Sequence, residues 1–167
     1  ALYLATVSEP FEKILRYGQT LRFFDPEAVG HFVFYEDLGL ALNERGLAGV
    51  LEQVTALIKE RRPGIIVIDS FKALSAYAEA AEFRRFLHEL AGRLTALAIS
   101  SLWIGEYSAT DAIASPEFGV ADAVIDLATK HTGERSIRYL SVLKLRGSDF
   151  ASGEHSYRLS SNGLIVY

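Results

Sequence analysis

Over its first hundred residues the chain alternates two kinds of apolar pattern, and that alternation leaves few folds open. Leu2-Tyr3-Leu4-Ala5-Thr6, His31-Phe32-Val33-Phe34-Tyr35, Ile65-Ile66-Val67-Ile68 and Ser101-Leu102-Trp103-Ile104-Gly105 are short, nearly continuous apolar runs. Such runs suit strands buried on both faces. Between them the period lengthens to that of a helix. Phe11, Ile14, Leu15, Gly18, Leu21 and Phe24 recur at helical spacing after Pro10, which fits a first helical turn. Gly46 to Arg62 places Val50, Leu51, Val54, Leu57 and Ile58 on one face, with Lys59, Arg61 and Arg62 in its last turn. Residues 81–98 do the same with Phe83, Phe86, Leu87, Leu90 and Leu94. Strand and helix in alternation predict an α/β fold: a mostly parallel sheet with helices on both faces. The last third reads differently. Val124 to Lys130 and Ile137 to Leu145 are strand-like, and two short strands flank Asn162-Gly163, a strong hairpin signal. Antiparallel strands are therefore expected at the C-terminal end. No internal repeat or domain boundary is visible, so residues 1–167 read as one domain.

Composition removes several classes of function. The 167 residues contain no cysteine, which excludes disulfides, thiolate zinc sites and a Cys nucleophile. The histidines at 31, 88, 131 and 155 lack metal-ligand spacing, and no Gly-x-Ser-x-Gly elbow occurs. The formal net charge of −4 weighs against a broad DNA-binding surface. No apolar run reaches the ~18 residues of a membrane span, and a cytoplasmic setting is the simplest expectation. The absence of methionine, with Ala1 opening inside an apolar run, suggests a fragment of a longer protein.

Two places carry candidate chemistry. Asp69-Ser70 ends a β-branched strand, where ligands gather in open α/β sheets. A carboxylate there can hold the hydration shell of Mg²⁺ beside nucleotide phosphates, and Ser70 can share that water network. The same two residues could equally cap the next helix. Lys144 and Arg146 lie two apart on a strand and so point to one face, just before Gly147. They form either a clamp for a polyanion or the protective charge of an edge strand.

Taken in order, three stretches resemble the RecA superfamily, and within it the KaiC-like ATPases. Ile65-Ile66-Val67-Ile68-Asp69-Ser70-Phe71-Lys72-Ala73-Leu74 is similar to the family's Walker B strand. Phe118-Gly119-Val120-Ala121-Asp122-Ala123-Val124-Ile125 is similar to its turn into the late strands. Leu143-Lys144-Leu145-Arg146-Gly147-Ser148 is similar to its Lys-x-Arg-Gly-Ser segment. The resemblance implies ATP and Mg²⁺ as cofactors, with Asp69 ordering Mg²⁺ and its waters. It implies that Lys144 and Arg146 reach the γ-phosphate of ATP held by a neighbouring subunit. A site completed from next door implies a ring, usually a hexamer, acting on some regulatory protein partner.

The sequence departs from the family twice. No Gly-x-x-x-x-Gly-Lys-[Ser/Thr] occurs in these residues, so the cradle for the phosphates is missing. The expectation is that one β–loop–α unit, ~30–40 residues, lies upstream. Where the family places a Glu pair after the strand, this chain has Val7-Ser8, with Glu9 one step beyond as the nearby carboxylate that could activate water. Glu9 could otherwise serve only as an acid at a helix N-terminus. Glu106, after the strand containing Trp103, is a weaker candidate for sensing the γ-phosphate. An ATPase is the first expectation; the resemblance extends to relatives that are autokinases, and no acceptor is identified in these residues. A RecA-like assembly or regulatory module without catalysis is the alternative, and a DNA recombinase fits the charge poorly.

Overall fold

The computed structural model describes residues 1–6, 11–108, 111 and 115–167. The chain divides into two compact units: Ala1–Leu15 with Pro26–Val120, and Arg16–Asp25 with Ala121–Tyr167.

The first unit is built on a parallel sheet of β1 (Leu2–Ala5), β2 (Phe34–Asp37), β3 (Ile65–Asp69) and β4 (Ser100–Ile104), in the order β2-β1-β3-β4. Leu2 pairs with Phe34 and Ile66, and Ala5 with Asp37 and Asp69. This register and the two-residue period put Leu2, Leu4, Ile66 and Ile68 on one face, all 0% exposed. On that face they join residues of α2 (Gly39–Arg61) and α3 (Ala80–Ala96), among them Leu42, Val50, Val54, Leu87 and Leu90. Burial of these side chains is the main stabilising term of the unit. Tyr3, Ala5, Val67 and Asp69 point to the opposite face. There the Phe11 ring at the start of α1 (Phe11–Gly18) packs on Tyr35, while Ile65, Leu102 and Ile104 stay exposed. Trp103 stacks flat on Phe71, with ring centroids 4.2 Å apart.

Three of the elements α1–α3 and β1–β4 depart by more than two residues from the sequence-based expectation, each for a local reason. α2 begins seven residues earlier than its apolar period, because Gly46 (φ 60°, ψ −153°) kinks it and resets the phase. α1 stops at Gly18, against which the Phe24 ring folds; a Cβ there would lie 2.7 Å from the ring. β2 includes the charged Glu36 and Asp37 rather than His31 to Val33, since pairing with β1 decides the strand and an edge tolerates charge.

The second unit holds β5 (Ala123–Thr132), β6 (Arg135–Leu145), β7 (His155–Ser160) and β8 (Gly163–Val166), an antiparallel sheet in sequence order. The expected C-terminal antiparallel strands thus form a separate four-stranded sheet. The expected hairpin is present, although Ser160 pairs with Gly163, so Ser161 and Asn162 make its turn. Gly163 takes φ 109°, which only glycine adopts readily. Among the described residues, no helix is long and apolar enough to cross a membrane.

Candidate functional site

The strand order of the first unit contains a switch point. From β1 the chain moves to β2 on one side, then returns to place β3 on the other side of β1. At such a switch point the connections diverge and leave a crevice outside the carboxyl ends of the strands. Thr6 emerges there from β1 and Asp69-Ser70 from β3. They are tied together: the Thr6 N–H donates to the Asp69 carbonyl at 2.9 Å, and its hydroxyl to the Ser70 carbonyl at 2.9 Å. Thr6 is 2% exposed, so these bonds fix a polar side chain that burial would otherwise penalise. The Tyr3 hydroxyl donates to Asp69 Oδ2 at 2.6 Å, and the peptide between Asp69 and Ser70 is cis. Ser70 stands at the start of a 3-10 segment, Phe71–Tyr77, without a side-chain cap bond, so the helix-capping alternative finds no support at this residue.

Beyond Asp69 the same segment carries a second polar cluster. Lys72 Nζ donates to Asp111 Oδ2 at 2.6 Å and lies 5.3 Å from the centre of the Tyr107 ring. The Tyr107 hydroxyl donates to Glu117 Oε1 at 2.7 Å. Glu117 lies on α4 (Pro116–Val120), is 5% exposed, and among the described residues has no hydrogen-bond partner for Oε2. Burial first, then the bond to Glu117, pushes the Tyr107 phenol well above its usual range, so it remains a donor. Gly105 makes the cluster possible, since a Cβ there would meet the Tyr107 ring at 2.7 Å and Lys72 Cβ at 3.0 Å. Tyr107→Phe removes the bond to Oε1 and leaves a buried carboxyl with neither oxygen bonded among the described residues, and is expected to lower unfolding free energy by about 1–3 kcal/mol. Denaturant titration checks this, and an unchanged midpoint would contradict it.

The Lys72 ammonium, then the Ser108 N–H and hydroxyl, hold Asp111 down to about 2 from an ordinary 3.8. A folded pKa below the unfolded one means that this contribution is complete above the ordinary value and lost as pH falls through the lower one. The Lys72–Asp111 contact should therefore persist through mild acid. Titration of the Asp111 carboxyl by NMR should give a midpoint near 2; a midpoint near 3.8 would show that the contact does not form.

In the second unit, half-buried Lys144 pairs with Val124 across β5 and β6. Arg146 lies just past the end of β6, where its N–H donates to the Asp122 carbonyl at 2.8 Å. Its guanidinium donates to Asp122 Oδ1 at 3.0 Å. Glu106 is exposed, two residues beyond β4. Glu9 lies outside the described residues. The structure thus groups Asp69 and Ser70 in the first unit, and Lys144 and Arg146 in the second. Sequence reasoning missed Tyr3, Thr6, the Lys72–Asp111 and Tyr107–Glu117 pairs, and Asp122 as the partner of Arg146. For Tyr3 and Thr6 a signal existed: polar groups within an apolar strand next to the one that ends in Asp69.

The chain is similar to known proteins in sequence and in fold. It is 29% identical over 126 residues to the circadian clock oscillator protein KaiC of a Picosynechococcus species, covering 72% of this chain and 24% of that protein. It is 28% identical to the circadian clock oscillator protein KaiC 1 of Synechocystis, with the same coverage. The chain therefore spans about a quarter of the length of these relatives. Its fold matches the crystal structure of the KaiC-like protein PH0186 from Pyrococcus horikoshii with a TM-score of 0.82. That match has 17% identity and covers 99% of this chain and 74% of the other. The fold is thus the RecA-like α/β core that the sequence led one to expect. The family described as "ATPase: KaiC" matches residues 34–167, well over half of the chain, and the chain belongs to this family of KaiC ATPases.

Proposed function

We propose that in the full-length protein this chain forms part of an ATP-hydrolysing site, with Asp69 beside the Mg²⁺ that accompanies ATP. The observation that carries this reading is the Asp69 carboxylate, set at the carboxyl end of β3 where the strand order reverses. The donors around it fit the ion. Asp69, Ser70 and Thr6 offer only hard oxygens. Among the described residues no group of three or more His, Cys, Asp or Glu could cage a metal. Mg²⁺ suits such a place because it keeps several waters and binds through one or two carboxylates plus phosphates. Bound there, it would neutralise charge on the β- and γ-phosphate oxygens. Asp69 would hold its hydration shell, Ser70 would bond to the same waters, and Glu106 would stand as a polar group near the γ-phosphate. Glu9 would orient the attacking water. Lys144 and Arg146 would be supplied to the ATP of a neighbouring subunit, which requires a ring, with a hexamer as the first size to test. The phosphates themselves would rest on residues outside these 167. This turnover would be coupled to a regulatory protein partner.

Val7-Ser8, in place of a Glu pair, favours a second reading, in which the domain binds nucleotide and assembles without turnover. Release of phosphate from ATP by the full-length protein decides between them. Mg²⁺-dependent turnover supports the ATPase. Ring assembly on ATP without phosphate release supports the assembly module.

A further inference from the structure

We propose that Tyr3 is a positioning residue for the Asp69 carboxylate, an inference that rests on the reading of Asp69 as the Mg²⁺-ordering acid. The register explains how a residue two strand positions away reaches it. Tyr3 pairs with Val67, and Ala5 pairs with Asp69, with all four on the same face of the sheet. Ala5, directly opposite Asp69, carries only a methyl group, and the long phenol of Tyr3 reaches diagonally to Oδ2 at 2.6 Å. That length is typical of a phenol bonded to a charged carboxylate.

The phenol is itself held in place. The Tyr3 ring packs on Tyr35, with centroids 5.0 Å apart, and Tyr35 packs on Phe11 at 4.7 Å. A braced aromatic row on β1, β2 and α1 thus delivers one hydroxyl to one carboxylate oxygen. Phe at position 3 would keep the ring contacts and pack as well. The hydroxyl adds the bond to Oδ2, which fixes the plane in which Asp69 presents its oxygens. Groups that orient the residues around a metal tune its affinity without touching it.

The test uses the full-length protein with Tyr3→Phe and Asp69→Asn. Mn²⁺ binding in the presence of a non-hydrolysable ATP analogue is followed by electron paramagnetic resonance, together with the melting temperature and the Mg²⁺ dependence of turnover. Tyr3→Phe is expected to weaken Mn²⁺ binding about fivefold, below the ~10–100-fold typical of groups that hold a metal ligand directly. The concentration of Mg²⁺ needed for half-maximal turnover should rise in parallel, with rate at saturating Mg²⁺ and melting temperature little changed. If Asp69→Asn weakens Mn²⁺ binding and Tyr3→Phe does not, the positioning role is overturned while the reading of Asp69 stands. A fall in melting temperature with unchanged metal affinity overturns it too, by showing a purely structural bond. If Asp69→Asn leaves Mn²⁺ binding intact, the underlying reading of the site fails and the proposal falls with it.

Discussion

Arg146→Ala in the full-length protein is expected to lower ATP turnover about a thousandfold while leaving ATP affinity nearly unchanged. Arginine fingers act on charge that develops during phosphoryl transfer, and losing one costs about 10³–10⁵ in rate. Arg146 lies just past β6, and its guanidinium is paired with Asp122, whose side chain is 84% exposed. An ion pair so open to water contributes about 0–1 kcal/mol, so exchanging Asp122 for a phosphate costs little. Loss of this ion pair should itself cost no more than about 1 kcal/mol of stability. Arg146→Lys should not restore the rate, because an ammonium lacks the planar fork that a guanidinium sets against two phosphate oxygens. Turnover and nucleotide affinity measured on the same preparations check this. Equal loss of both would place Arg146 in ground-state binding instead.

Asp69→Asn is expected to lower Mg²⁺-dependent turnover at least ~10–100-fold, the range seen when groups that order a metal's surroundings are removed. The amide is close to the carboxylate in shape, so Tyr3 can still donate to its oxygen, and the bonds from Thr6 to the Asp69 and Ser70 carbonyls do not involve the side chain. These bonds should therefore survive the substitution, which removes the negative charge. Excess Mg²⁺ should recover part of the rate. Full activity at ordinary Mg²⁺ would remove Asp69 from the site.

Much of the fold was legible because burial and backbone pairing follow the same periods as the sequence. The strands ending in Thr6 and Asp69 announce themselves as apolar runs, and α3 shows its buried stripe of Phe83, Phe86, Leu87, Leu90 and Leu94. Periodicity failed where the backbone changes phase. Gly46 hid the first turns of α2, and the pairing of β1 extended β2 into Glu36 and Asp37. Of the proposed site, the sequence offered only isolated residues, Asp69 at a strand end and the Lys144–Arg146 pair at two-residue spacing, with Arg146 falling just past β6. The partners were not legible. Tyr3 reaches Asp69 across 66 positions and Lys72 reaches Asp111 across 39, distances at which only the fold decides who meets whom.

The central proposal is an ATP site with Asp69 on one subunit and Arg146 from the next. Mixing full-length Arg146→Ala protein with full-length Asp69→Asn protein, under conditions in which subunits exchange, tests it most directly. Each variant alone should be nearly inactive. In a mixed ring, some interfaces combine the intact Asp69 of one subunit with the intact Arg146 of its neighbour, so ATP turnover should rise well above the sum of the two. Turnover that stays at that sum, with mixed rings shown to form, would contradict a site shared between subunits.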